Sequence, residues 1–380
     1  MSKINLLIFL ISMLGSIAGK AQDSLDIMIG QMIVVGFDDL NEIEFKDSLR
    51  ERIKEQKLGG IIFYEKNLSP FNTKADLGKT IAYYQKKSSI PLFMSIDEEG
   101  GVVNRLKPVY GFKETVTAQY LGNLDNVDST RYYSAIIAKQ LHELGFNLNF
   151  APVVDLNINP DGPAIGRHGR SFSREFTTVA DHARVFVEHH DSFGIGTVLK
   201  HFPGHGSADK NTHYEITDVS STWLIEELYP YKILIDSGKA KAIMTAHIVN
   251  RTTDETKLPA TLSKKTITDL LRNYLGYQGV VFSDDMQMSA VGEYYGLEES
   301  ITLAINAGVD VLLFCNNVHA DKRVSVDQVH STIKNLVLEG KISQARIVES
   351  YDRVLDLKES LGMLNPNYRR ALLKRLKELN

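Results

Sequence analysis

The chain has 380 residues, 43% of them apolar and 24% charged, with 43 Lys and Arg against 47 Asp and Glu for a net charge of −4. This is globular composition with room for one large domain or two small ones, and no Lys/Arg-rich face supports binding to nucleic acid. The single cysteine, Cys315, excludes an intramolecular disulfide; within "VDVLLFCNN" it reads as a buried, inert thiol.

The first 21 residues stand apart. Lys3, the apolar "INLLIFLISMLGSIAG" and the small residues of "GKAQD" read as a secretory signal peptide cut after Ala21, leaving residues 22–380 as the mature domain; the rival reading is a membrane anchor, against which the run is short and holds Ser and Gly. No cysteine follows the apolar core to carry a lipid. No later stretch approaches ~20 uninterrupted apolar residues. The expectation is an exported protein, periplasmic or secreted, with no membrane span after cleavage.

Short apolar, β-branched runs then recur at 31–37, 59–65, 91–97, 148–156, 197–202, 242–249, 279–285 and 310–316. Stretches with helical spacing lie between them, for example 42–56, 177–193 and 263–275. Strands that are apolar throughout belong in a parallel sheet covered on both faces. Their alternation with helices implies right-handed βαβ units, and eight such units predict an α/β fold, a single (β/α)8 barrel. A doubly wound open sheet would favour a G-x-G-x-x-G loop after its first strand, and "VVGFDDLNE" has none. The tail "NYRRALLKRLKELN" reads as a surface helix packed on the barrel.

Catalytic groups of such barrels sit at the C-terminal ends of the strands. Here Asp97 ends the third run, Asp155 the fourth, Lys200 and His201 the fifth, His247 the sixth, and Asp284 and Asp285 the seventh. The fifth, "VLKHFPGHG", breaks from an apolar run into a lysine, two histidines and a sharp turn; His205 reads as a structural residue pinning that turn. No G-x-S-x-G elbow is present. His201 and His205 stand four apart, but Pro203 and Gly204 between them deny the helix that an i, i+4 metal pair needs. "DLNINPDG" places Pro160 where a calcium loop needs glycine. Neither a metal nor a cofactor is expected. What remains is carboxylates, histidines and basic groups around a neutral polar substrate. This suits sugar cleavage, whose oxocarbenium-like transition state needs a nearby anion and a proton donor.

The segments "IGQMIVVGF", "GGIIF", "PLFMSIDEEGG", "NFAPVVDL", "GRSFS", "KHFPGHG", "TAHIV" and "GVVFSDDM" occur in that order along the chain. In them the chain resembles bacterial β-N-acetylglucosaminidases of glycoside hydrolase family 3. The resemblance implies a retaining exo-acting enzyme on peptidoglycan fragments or chito-oligosaccharides, with carbohydrate as its binding partner and a monomer as its state. It implies that Asp284 is the nucleophile and His213 the general acid/base. Asp97, Arg105, Arg170, Lys200 and His201 would bind the sugar, with Arg167 a weaker rival to Arg170. The length fits the barrel alone, so the second α/β domain of some members is expected to be absent.

One departure matters. The family's loop usually reads Asp-Ser-His, its acid orienting the histidine; here it reads Asn211-Thr212-His213. Either the neutral Asn211 takes that place, or Asp209 does. Three other readings stay open: a family 3 phosphorylase, a β-glucosidase, and a non-catalytic glycan-binding relative.

Overall fold

The computed structural model describes residues 24–37, 43–68, 73–212, 215–365 and 367–371. The expected signal segment, His213 and residues 372–380 of the tail lie outside them.

Eight strands form a closed parallel barrel. They are β1 (Ile33–Gly36), β2 (Gly60–Phe63), β3 (Phe93–Ile96), β4 (Leu148–Asn149), β5 (Gly196–Phe202), β6 (Ala242–Thr245), β7 (Val280–Asp285) and β8 (Val311–Phe314). Each pairs with the next, and β8 closes onto β1 with Ile33 opposite Leu312. A helix follows each strand: α1 (Ile43–Lys54), α2 (Thr73–Gln85), α3 (Val127–Leu144), α4 (Phe176–Ser192), α5 (Tyr229–Asp236), α6 (Lys265–Tyr274), α7 (Ser289–Ala307) and α8 (Val326–Leu338). A further helix, α9 (Gln344–Ser360), ends the domain. Local chemistry sets several boundaries. The Asn126 side chain accepts from the Asp128 amide at the start of α3, and Gly145 ends that helix at φ 90°. Ser325 and Gln328 close a reciprocal capping box at the start of α8.

Two strands are shorter than the apolar runs predict. In the 148–156 run the regular strand spans only Leu148–Asn149; beyond it the carbonyls of Ala151 and Pro152 still accept from the Val198 and Lys200 amides of β5, while Pro152 itself has no N–H to give, and Val153 forms a single bridge to Lys200. The 242–249 run leaves the barrel after Thr245, and Ile248–Val249 pairs instead with Thr217–Asp218 in a small ribbon. The helix predicted at 263–275 forms as α6, but winds wide, with the Leu275 amide reaching back five residues to the Leu270 carbonyl at 2.9 Å.

The barrel interior is filled rather than hollow. The Phe282 ring meets Phe93 and Phe150 edge-on, at 5.9 and 5.6 Å. Val354, Leu357 and Leu361, from α9 and its C-terminal end, join the same cluster and close the barrel floor. Two polar anchors hold α9 there. Asp310, just before β8, accepts from Arg272 (2.7 Å), Arg346 (2.7 Å), Arg353 (3.1 Å) and Ser350 (3.0 Å). The fully buried Lys358 amine donates to Gln31 Oε1 (2.7 Å) and the Gly59 carbonyl (3.2 Å), and lies 4.5 Å from the Phe93 ring centre. Beyond Ser360, Arg369 pairs with Asp356 and Glu359, tying residues 367–371 to α9. Among the described residues no helix is long and apolar enough to cross a membrane.

Candidate active site

With the floor closed, the polar strand ends gather at the opposite mouth around a cleft of about 650 Å³. Side-chain alternation decides which of them face it. At the end of β3, "DEE" sends Asp97 and Glu99 into the cleft, while Glu98 turns away and is fully buried. Lys200, at the end of β5, bridges the two facing acids, with Nζ 2.9 Å from Asp97 Oδ1 and 2.7 Å from Glu99 Oε1. Arg170 forks onto Glu99, Nε to Oε2 at 2.8 Å and Nη2 to Oε1 at 2.7 Å, and its third nitrogen donates to the Ala164 carbonyl at 2.9 Å. Arg105 reaches Asp97 Oδ2 at 3.4 Å and lies over the Tyr64 ring.

This network fixes the charges. Burial works against the ionised acids, but Arg170 and Lys200 hold Glu99 well below the usual glutamate range, and Lys200 and Arg105 hold Asp97 below its own. Lys200 is likewise raised by its two carboxylates against the cost of burial. The result is a lattice of N–H donors and carboxylate acceptors in which Asp97 and Glu99 offset Lys200 and Arg170, with Arg105 at its edge. Such a surface grips hydroxyl groups without demanding a charged ligand.

Behind it, Asp155 is fully buried and does not line the cleft. It accepts from the His201 amide (3.1 Å), the His201 ring at Nδ1 (2.7 Å) and the His205 amide (2.8 Å). A proton on Nδ1 leaves His201 Nε2 toward the cleft, 3.4 Å from Arg170 Nη2. His205 is buried, contacts Thr212 Oγ1 at 3.3 Å, and is pushed down to about 4 by burial and by His201, so it stays neutral. His247 also departs from the expected convergence. It is fully buried, with Nδ1 2.8 Å from Thr261 Oγ1 and Nε2 2.9 Å from the Asp285 carbonyl.

Across the barrel from Asp97, four strands away, β7 ends in the acid pair. Asp284 is half-buried and lines the cleft, and its Oδ1 accepts from the Asp285 amide at 2.8 Å. Asp285 is buried; burial raises it to about 6, while the Cys315 and Gln287 amides (both 3.1 Å) hold one oxygen. Cys315 is buried, as its apolar run suggests. Asn211 lines the cleft; Asp209 is exposed, and so is Arg167, which donates to the Asp161 carbonyl at 3.2 Å. Among the described residues no cluster of three His, Cys, Asp or Glu is placed to hold a metal ion.

Residues 24–357 match the Glycosyl hydrolase family 3 N terminal domain. The chain belongs to glycosyl hydrolase family 3. Within the family it is 32% identical to a beta-hexosaminidase A of Pseudoalteromonas piscicida over 340 residues, which is 82% of this chain and 55% of that protein. It is 32% identical to a beta-hexosaminidase of Nitrosomonas eutropha over 277 residues, 70% of this chain and 76% of the other. Its barrel superposes on a family 3 beta-N-acetylglucosaminidase from Paenibacillus with a TM-score of 0.80 at 32% identity, covering 93% of this chain and 68% of that one. The beta-N-acetylhexosaminidase of Beutenbergia cavernae gives 0.77 at 27% identity, covering 88% and 98%.

Glu99 is the cleft residue that reading the strand ends overlooks. Its signal was available: it lies two residues beyond Asp97, hence on the same face of an extended chain.

Proposed function

We propose that this family 3 chain is a retaining exo-β-N-acetylglucosaminidase that releases terminal β-linked N-acetylglucosamine from peptidoglycan fragments or chito-oligosaccharides. The observation that carries the reading is the juxtaposition across the mouth of one barrel. An internally neutralised Asp97–Lys200–Glu99–Arg170 lattice faces a separate, solvent-reachable carboxylate, Asp284. The hexosaminidase names of the relatives support the sugar; export through residues 1–21 would place the enzyme where such glycans lie.

In this mechanism Asp97, Arg105, Arg170, Lys200 and His201 hold the sugar ring. Asp284 attacks the anomeric carbon while His213 gives its proton to the departing glycosidic oxygen. A covalent glycosyl–Asp284 ester forms and the aglycone leaves. Water, deprotonated by His213, then attacks the ester, restoring the carboxylate and releasing the sugar with its β configuration.

The test combines a fluorosugar with product analysis by NMR. Labelling of Asp284 and a first-formed β-anomer are expected, with Asp284→Ala almost inactive at unchanged fold. Strong inhibition by a thiazoline without any trapped ester would instead favour attack by the substrate's own acetamide. Comparing muropeptides with chitobiose assigns the aglycone.

A further inference from the structure

Three consecutive acids, Asp97, Glu98 and Glu99, end β3, and the middle one has no place in the chemistry above. Glu98 is fully buried. Its Oε2 accepts two successive backbone amides, from Arg105 at 2.8 Å and Leu106 at 3.1 Å. Its Oε1 is buried without a hydrogen-bond partner. The segment between is a tight excursion that leaves the strand at Gly100 and Gly101 (φ 95° and 62°) and folds back, with the Glu99 amide on the Val103 carbonyl at 3.0 Å. Glu98 is therefore the clamp on the returning end of that excursion, at the residue whose guanidinium reaches Asp97.

The clamp is itself held from behind. Asn149 of β4 accepts from the Glu98 amide (3.0 Å) and donates to the Glu98 carbonyl (3.0 Å). The Asn149 amide nitrogen also lies 3.1 Å from His190 Nε2, whose Nδ1 lies 2.9 Å from the Phe186 carbonyl within α4. A continuous buried polar chain thus runs from α4 through β4 to the Arg105 backbone. Burial raises Glu98 to about 7, which favours the neutral carboxyl with its proton on the unpartnered Oε1. A neutral carboxyl keeps its other oxygen as an acceptor without setting a third full charge beside Asp97 and Glu99.

We propose that Glu98 is a positioning residue for sugar binding, fixing Arg105 against Asp97 through the Arg105 and Leu106 amides. This rests on the reading of Asp97 and Arg105 as sugar ligands. Removing the clamp frees the Arg105 backbone, weakening an interaction made equally in the ground and transition states, so KM moves more than kcat.

The experiment compares Glu98→Ala, Glu98→Gln and Arg105→Ala for KM, kcat and the affinity of free N-acetylglucosamine by calorimetry, with melting temperatures alongside. Glu98→Ala is expected to raise KM and weaken sugar binding roughly ten- to a hundredfold, with kcat changed far less. Glu98→Gln, which keeps an oxygen for both amides, is expected to restore affinity to within about threefold. Equal affinity in Glu98→Ala and the wild type, or a Gln variant as weak as the Ala variant while still folded, overturns the proposal. If Arg105→Ala itself leaves sugar binding unchanged, the assignment of Arg105 as a ligand fails instead.

Discussion

Arg170 and Glu99 meet fork to fork, 2.8 and 2.7 Å apart, in the wall of the cleft, with Lys200 sharing the same carboxylate. Arg170 loses its main counter-charge if Glu99 is neutralised, and Lys200 keeps only Asp97. Glu99→Gln should therefore destabilise the fold by about 3 kcal/mol, the scale for leaving a buried charge unpaired, and raise KM together. Denaturant titration and steady-state kinetics check this; a variant of wild-type stability contradicts it. The pair also sets an acid limit. Glu99 is held below its unfolded-state value, so its contribution is present above pH 4.5 and fades as pH falls below that.

Two buried acids act with the opposite sign. Glu227, which accepts from the Gly206 amide at 2.9 Å, is raised to about 8 by burial and by Asp155; Glu98 is raised to about 7 by burial. Folded, each keeps a proton that the unfolded chain gives up near 4.5. Their contribution is complete below that pH and is lost as pH rises toward 7 and 8, at no more than about 1.4 kcal/mol per pH unit for each group. Urea midpoints between pH 5 and 9 should decline, and Glu227→Gln should flatten the slope. Parallel profiles for the two proteins would falsify this account.

If His213 is the acid/base, its loss must scale with the basicity of the leaving oxygen. His213→Ala should cost natural disaccharides orders of magnitude more than nitrophenyl glycosides. Equal losses on both assign His213 another task.

Asn211, at the cleft edge, accepts a hydrogen bond as an aspartate does but carries no charge to stabilise an imidazolium. Asn211→Asp should raise turnover about tenfold and move the basic limb of the rate profile upward. The exposure of Asp209 disfavours it as a substitute. A damaging Asp209→Asn paired with a silent Asn211→Asp would reverse that ranking.

All eight strands were legible because parallel strands are covered on both faces and read as unbroken apolar runs. The lengths of β4 and β6 were less so. In one the regular strand stops at Asn149 inside an apolar run, and in the other the chain changes partner without changing character at Ala246. Asp97, Lys200, His201 and Asp284 fall at strand ends, where the barrel rule points. Asp155 and His247 also close apolar runs yet stand behind the cleft, because the regular strands stop earlier, at Asn149 and Thr245, and an apolar run does not reveal where its strand ends. Glu98 illustrates the remainder: its partners are the amides of residues seven and eight positions on, and an amide has no letter in a sequence.

The way α9 closes the barrel floor bears on how the chain is born. Lys358 satisfies the Gly59 carbonyl, and Arg346 and Arg353 serve Asp310, so groups near the start of β2 and β8 wait for partners near the end of the chain. The β1–β8 seam likewise joins the first strand to the last. A nascent chain emerging N-terminus first can form βαβ pieces, but it cannot complete its interior until residues 344–361 have left the ribosome. Until then the barrel floor lacks the apolar cover that Val354, Leu357 and Leu361 supply.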